Sequence, residues 1–405
     1  MNRNFDIVIA GSGIAGLTMA ALLAKGELRD RLSIRVIEAG ARPVFDAAAD
    51  VALRVSAVAA GSVRLYSSLG VWEAVGAARA GAFREMRVWD ASRSVDGPEA
   101  LHFDAAEFAL RELGFIVENI LLQDALLRVV ENAGAKISFD TRIGTARPAP
   151  RGGMEVVCDG ESFRADLLVG ADGASSSVRQ QAKIAITSWS YPQSAFVTHL
   201  RTERHHRECA WQRFLPAGPL ALLPLNDGRV SVVWSTAPDR AQEACTVDAA
   251  LLGRMLTDAS DSVLGELVLA GERAAFPLKA HYATRYVTPG MALIGDAAHS
   301  IHPLAGQGAN LGISDAAVLA KVIHEAVAAG EYPGDLPVLR RYERARKGAN
   351  NTMLYFVDAL NRLFASPSSP MSALRGVGMR LFNVSGPLRR QAAAVALGLG
   401  QSAQR

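Results

Sequence analysis

The clearest signal in the chain is where its apolar runs stop. Phe5-Asp-Ile-Val-Ile-Ala10 is a short, nearly continuous apolar segment, the pattern of a strand buried on both faces. It breaks at Gly11-Ser-Gly-Ile-Ala-Gly16 and gives way to apolar spacing of helical period up to about Ala24. A second apolar strand, Ser33-Ile-Arg-Val-Ile37, ends on an acid, Glu38. The arrangement recurs. Ala165-Asp-Leu-Leu-Val-Gly170 runs into Asp172-Gly173 and a serine-rich loop that reaches Arg179. Met291-Ala-Leu-Ile-Gly295 runs into Asp296, a loop with Pro303, Gly306, Gly308 and Gly312, and then a helix through Lys321. Strands that end on an acid before a loop and helix build a crevice at the carboxyl edge of a parallel sheet.

Elsewhere the pattern is of a different kind. Asp50–Ser56 precedes a helix to about Leu69, and Val117 opens a helix with Leu122, Leu126, Val129 and Ala133 on one face. Phe83–Trp89 and Leu101–Phe103 read as strands around a turn, and Lys136–Phe139 and Met154–Cys158 as further strands. From Ser194 to about Phe276, short strands follow one another, with one helical stretch near Val247–Leu269. Consecutive strands of this kind predict an antiparallel sheet, inserted between pieces of the parallel one. Leu339–Phe364 is strongly helical. The expected fold class is therefore α/β: a Rossmann-like nucleotide-binding domain (1–80, 104–182 and 282–338), an inserted antiparallel-sheet domain (81–103 and 183–281) and a C-terminal helical region (339–405).

Composition changes this picture little. At 405 residues the chain exceeds the usual size of a single core, which agrees with two domains. A net charge of +3 gives no footprint for nucleic acid. Cys158, Cys209 and Cys245 have no metal-ligand spacing, so reduced thiols, no metal and a cytoplasmic location are expected. No apolar run is long enough to span a bilayer. The tail stands apart: from Asn361 to Arg405 there is no acid, while Arg362, Arg375, Arg380, Arg389, Arg390 and Arg405 give +6. That segment reads either as a closing helix with a solvated basic face or as a membrane-surface or partner-docking segment.

The chemistry sits at the strand ends. In a βαβ unit the first glycine (Gly11) makes the turn and the second (Gly13) admits a pyrophosphate. The third (Gly16) lets helix pack on strand, and the acid (Glu38) accepts from a ribose. Arg54, the one cation between Asp50 and Ser56, is either a surface arginine or a fork for a cofactor phosphate. Asn119 suits a helix cap, and Asn310 and Ser314 suit caps or local hydrogen bonds.

Taken in order, GSGIAG with Glu38, LLVGADGASSSVR and ALIGDAAHSIHPLAGQGANLGISD resemble the single-component FAD-dependent aromatic hydroxylases. His302–Asp315 resembles the motif of the branch that hydroxylates ubiquinone precursors. Arg54–Ala57, Val117–Asn119, Gln212–Pro224 and Tyr342–Lys347 extend the likeness over nearly the whole chain. The resemblance implies FAD as cofactor, NADH or NADPH as co-substrate, and a hydrophobic polyprenyl phenol hydroxylated through a flavin C4a-hydroperoxide. It places Gly11, Gly13 and Gly16 at the pyrophosphate, Glu38 at the adenosine ribose, and Arg54 and Asn119 at the pyrophosphate and ribityl region. Asp172 and Gly173 fall in a segment linked to FAD and NAD(P)H, and Gly295 and Asp296 on the ribityl or pyrophosphate side. Gly308, Ala309 and Asn310 would face the flavin pyrimidine edge, with Pro303 in the loop along the flavin. His302 and His299 are candidate bases, or else shape the loop. Two other functions are open: hydroxylation of a small soluble aromatic, and a flavin-bearing scaffold in a quinone-biosynthesis complex. The tail would then give peripheral contact with the inner face of a membrane, or with that complex.

Overall fold

The three acid-ended strands are neighbours in one sheet. In this computed structural model, which describes residues 5–150, 152–365, 378–383 and 385–399, a sheet runs in the order Val287–Thr288, Met291–Leu293, Leu167–Gly170, Phe5–Ala10, Leu32–Ile37, Lys136–Ser138. All its pairings are parallel except that of the Val287–Thr288 edge. Ala10 lies beside both Gly170 and Ile37, and Gly170 lies beside Leu293. Gly11, Glu38, Ala171 and Ile294 therefore leave the sheet along a single edge. The continuous apolar runs explain the placement. Ile7, Ile9, Val36, Leu168, Val169 and Leu293 have no exposed surface, because helices cover both faces. Burial of such side chains contributes about 1.5–3 kcal/mol each.

The second sheet has eight strands, in the order His299–Ser300, Leu267–Ala283, Ile186–Thr202, Val230–Thr236, Gly218–Pro224, Cys209–Leu215, Glu85–Asp90, Leu101–Asp104. It is antiparallel apart from one parallel pair, Cys209–Leu215 with Glu85–Asp90. Its edge strand His299–Ser300 comes from the loop after Asp296, so that loop is paired into the second sheet. A small sheet of Val55–Ala59, Gly114–Glu118 and Gly81–Phe83 lies between the two.

Three local readings differ from the sequence expectation. Phe83–Trp89 is split at Arg84, whose N–H donates to Glu208 O, so that Gly81–Phe83 and Glu85–Asp90 join different sheets. The helix expected near Val247–Leu269 covers only Ala249–Ala259, opened by an Asp248 cap on Leu251 N and stopped where Asp261 and Ser262 take positive φ. Leu267–Ala283 is then one long strand paired with Ile186–Thr202. Gly271-Glu-Arg273 and Lys279 interrupt the apolar run that marks Ala274–Leu278. The helix Leu336–Ala365 packs along Gln307–Ala328, and a last helix, Pro387–Ala396, returns to the molecule. The Pro/Ser segment 366–372, Arg375 and Arg405 lie outside the described residues. Among the described residues no helix is long and apolar enough to cross a membrane.

Candidate cofactor and active site

A trough follows the carboxyl edge of the parallel sheet. It consists of hollows of about 490 and 770 Å³ that share Gly13, Gln123, Ala171 and Gly173. Gly11, Glu38 and Asp172 line the smaller. Arg54, Asn119, Gly295, Asp296, Pro303, Gly308 and Ala309 line the larger. The opposite wall of the larger hollow comes from the other two sheets, through Phe83, Met86, Ile116, Leu223 and Val233. Residues far apart in sequence thus line one space.

The glycines test what that space holds. Gly11 has φ +103°, and a Cβ on it would lie 2.4 Å from Ala171 O; one on Gly16 would lie 2.1 Å from Gly11 O. Those two are required by the fold itself. Gly13 differs: its φ is −68°, and a Cβ there meets nothing within 4 Å. Gly173 and Gly308, which also line the trough, meet nothing either. Bare backbone facing open space is what close approach of a ligand's pyrophosphate needs.

Electrostatics point the same way. Helices Ile14–Lys25 and Gln307–Ala328 begin at Gly13 and Gly306, and no side chain caps either start. Both starts border the trough, so the first-turn N–H groups and the positive dipole ends face it. Together these features fit FAD: a nucleotide-sized trough, bare glycines and two anion-favouring helix ends.

The acids are arranged less uniformly than their motifs suggest. Glu38 accepts from Ser12 N (2.6 Å), Ser12 Oγ (2.9 Å) and Gly40 N (2.8 Å), which fixes its carboxylate at the rim of the smaller hollow. Asp172 accepts from Ser176 Oγ (2.5 Å), Ser177 N (2.8 Å) and Val178 N (3.1 Å), so its carboxylate caps the short helix Ser177–Gln181. Asp296 is open to the cavity, yet protein surrounds it closely. Desolvation raises its pKa, with His299, His281 and Arg54 pulling the other way.

Arg54 is exposed into the larger hollow with its guanidinium 5.7 Å from the Phe276 ring centroid. Asn119 begins a helix as its first residue, not as its cap, and its Oδ1 accepts from Ser56 Oγ at 2.7 Å. Its N–H donates to Arg54 O at 3.0 Å, which holds the Arg54 strand against the trough. Asn310 lies inside the helix. Its Oδ1 accepts from Ala59 N and Ser62 Oγ, and its Nδ2 donates to Ala57 O and Gly306 O. Its side chain is therefore a clamp between loop and small sheet, while Gly308 and Ala309 carry the cavity wall.

The histidine expectation needs correction. Pro303 lines the cavity, but His302 is buried behind it. Its Nε2 is 3.1 Å from Gln193 Oε1 and its ring packs edge-on to Tyr191. Burial pulls its pKa down to about 4, so the ring is neutral near pH 7 and shapes the loop from behind. His299 likewise turns inward, to Asp315 Oδ2 at 2.6 Å. Sequence reasoning assigned that aspartate, the last residue of the motif, no role of its own. Fully buried, it accepts from Gly295 N (3.2 Å), His299 Nε2, Arg346 Nε (2.8 Å) and Asn350 Nδ2 (2.9 Å). An acid amid the small and apolar residues of a buried helix was the available signal. Gln123, whose Nε2 donates to Ser12 O at 3.1 Å, steadies the glycine turn and was also passed over.

Comparison with known proteins agrees with this geometry. Residues 4–356 match the family described as FAD binding domain. The chain is 38% identical to the 3-demethoxyubiquinol 3-hydroxylase of Escherichia coli, covering 98% of this chain and 100% of that one. It is 35% identical to the human mitochondrial ubiquinone biosynthesis monooxygenase COQ6, covering 97% and 92%. Among solved structures, PqsL, a probable FAD-dependent monooxygenase of Pseudomonas aeruginosa, has the same fold. Its TM-score is 0.76 at 22% identity, over 93% of this chain and 99% of that one. The p-nitrophenol 4-monooxygenase PnpA of Pseudomonas putida gives 0.77 at 16%, over 98% and 99%.

Proposed function

We propose, from the premise that the chain belongs to the FAD binding domain family, that it is a monooxygenase of ubiquinone biosynthesis acting on the aromatic ring of a polyprenyl phenol. The balanced reaction is phenol + O2 + NAD(P)H + H+ giving the ring-hydroxylated phenol, NAD(P)+ and water. FAD supplies the redox chemistry and the activation of oxygen. The chain binds, orients and keeps the space dry. We assign the pyrophosphate to the bare backbone at Gly13, flanked by Gly11 and Gly16, and the adenosine ribose to Glu38. Arg54 and Asp296, with Gly295 and the Asn119 helix start, border the middle of the cofactor. Gly173 keeps the rim open, and Asp172 shapes it by capping the next helix. Gly308 and Ala309, at the start of Gln307–Ala328, would hold the pyrimidine side of the flavin, where their N–H groups would favour negative charge. Asn310 and His302 hold that loop and Pro303 in place.

The observation that carries the substrate reading is the apolar far wall of the larger hollow. Phe83, Met86, Ile116, Leu223 and Val233 offer a ring and hydrocarbon contact, with Gln212 as a polar side chain beside them. The test uses the purified, FAD-loaded chain. A prenylated phenol is expected to speed NADH or NADPH oxidation roughly tenfold or more, with ring-hydroxylated product in step. Tight FAD with no stimulation by any phenol would instead leave a flavin-bearing scaffold. Equal stimulation by small phenols would make the substrate a soluble aromatic.

The C-terminal segment gives this reading a membrane-facing part. Leu381 and Val395 are 62% and 55% exposed, on helices that also carry the exposed Arg380 and Arg390. Apolar and basic groups together suit peripheral contact with an anionic bilayer, where each arginine contributes about 1 kcal/mol. The double variant Arg380→Glu, Arg390→Glu is therefore expected to lower co-sedimentation with anionic vesicles by roughly tenfold or more. Unchanged binding would remove this part of the proposal.

A further inference from the structure

A second, smaller hollow lies behind the apolar wall of the larger one. Ala57, Phe83 and Met86 line the larger on one side and, on their other side, border this second chamber of about 120 Å³. Phe103 and Phe108 line it as well. Of its polar neighbours, Asn310 has its amide oxygen and nitrogen each engaged twice, and Gln307 is likewise engaged within the protein. The chamber thus offers an apolar ligand no group that a hydrocarbon would leave unsatisfied.

Its roof is the last helix, Pro387–Ala396, with the following Leu397. Both ends of this roof are fastened. At one, Arg389 pairs with Glu107 through Nη1–Oε2 (2.7 Å) and Nη2–Oε1 (3.0 Å), its guanidinium 4.9 Å from the Phe103 ring centroid. At the other, Gly61 N donates to Leu397 O at 2.9 Å, and a Cβ on Gly61 would lie 2.5 Å from Gly398 O. Between the fastenings the residues facing the chamber are Ala393 and Ala396, one helical turn apart, while Val395 points outward. A leucine at either alanine would occupy the space. The helix is held in place yet carries its smallest side chains over the chamber.

We propose that this chamber is the subsite for the ring-proximal isoprenoid unit of the substrate, with Ala393 and Ala396 as the residues that set its size. The inference rests on the polyprenyl-phenol reading and adds to it where the hydrocarbon goes. An apolar cavity of comparable volume, about 150 Å³, stays dry and takes a benzene, so this one has room for roughly one five-carbon unit.

The test uses the full-length, FAD-loaded protein and geraniol, a ten-carbon prenyl alcohol, as the calorimetric probe. Each buried carbon contributes a factor of about four in affinity. Ala396→Phe and Ala393→Leu, both of which fill the chamber, are therefore expected to weaken geraniol binding by roughly tenfold or more. Ala396→Ser, which keeps the volume, is expected to bind like the native chain. Melting temperature and FAD content identify any variant that is misfolded, and the second filling variant then decides. Geraniol binding unaffected by either folded filling variant, or no binding to the native chain, overturns the subsite. A prenyl phenol that binds in the chamber-dependent way but is never hydroxylated overturns the enzymatic reading and leaves the subsite standing.

Discussion

Gly13→Val is expected to yield a folded protein that no longer retains FAD, whereas Gly16→Val is expected to yield no folded protein. The contrast follows from where a side chain would go. At Gly16 a Cβ would lie 2.1 Å from Gly11 O, a backbone atom that cannot move without unseating the glycine turn from the first strand. Overpacking of a well-packed site costs about 1–3 kcal/mol, and a collision with backbone costs more. Against a total stability of roughly 5–15 kcal/mol, with the first helix lifted from the sheet, that loss is severe. At Gly13 the backbone is extended, φ −68° and ψ 173°, which valine adopts readily, and a Cβ built there meets nothing within 4 Å. The folded state loses little beyond a helix-start preference of about 1 kcal/mol. The isopropyl group instead fills the space assigned to the pyrophosphate, so FAD affinity is expected to fall roughly 100-fold or more. Flavin absorbance after gel filtration, read beside circular dichroism and a melting curve, checks both halves. FAD retained at native affinity by Gly13→Val would place the cofactor elsewhere.

The same contrast explains what could be read from the sequence. Gly11, Gly13, Gly16 and Glu38 share one βαβ unit, whose geometry is local, so their convergence was legible from spacing. That Asp172 and Asp296 approach the same edge depends on strand order, Met291–Leu293 beside Leu167–Gly170 beside Phe5–Ala10. The apolar runs announce such strands without ordering them. The overlooked parts are those in which a side chain answers to a residue far away. Asn310 looked like a cap or a flavin neighbour because its partners Ala57, Ala59 and Ser62 are some 250 positions earlier. His302 reads equally as a candidate base or a loop-shaping residue from its place in the loop, and Gln193 and Tyr191, from the inserted sheet, take its ring. A loop residue's side of the cavity is decided by the element packed behind it, and periodicity carries no trace of that.

Asp315→Ala is expected to produce the largest loss of stability among single polar substitutions at this site, about 3–5 kcal/mol. The removed carboxylate leaves the buried Arg346 without its counter-charge and frees His299 and the Gly295 amide. The wild-type chain should also report the interaction through pH. Burial alone would raise the Asp315 pKa, but His299, Arg346 and Asn350 outweigh it and hold the carboxyl at about 2, below its ordinary 3.8. A depressed folded-state pKa gives stability that is present above the unfolded value and is lost as pH falls through the folded one. The loss therefore belongs between about pH 4 and pH 2 and amounts to roughly 2 kcal/mol. Urea unfolding of native and Asp315→Asn chains across that range checks this, since the variant lacks the titrating group. The native curve should fall more steeply; parallel curves would mean that Asp315 is not the ionised centre of the cluster. Because Gly295 N donates to the same carboxylate that holds His299, flavin retention should fail together with stability in Asp315→Ala. Loss of stability with FAD affinity intact would separate the cluster from the cofactor loop. The expected coupling makes Asp315 the link between the helix packing of the core and the position of Asp296 at the cavity floor.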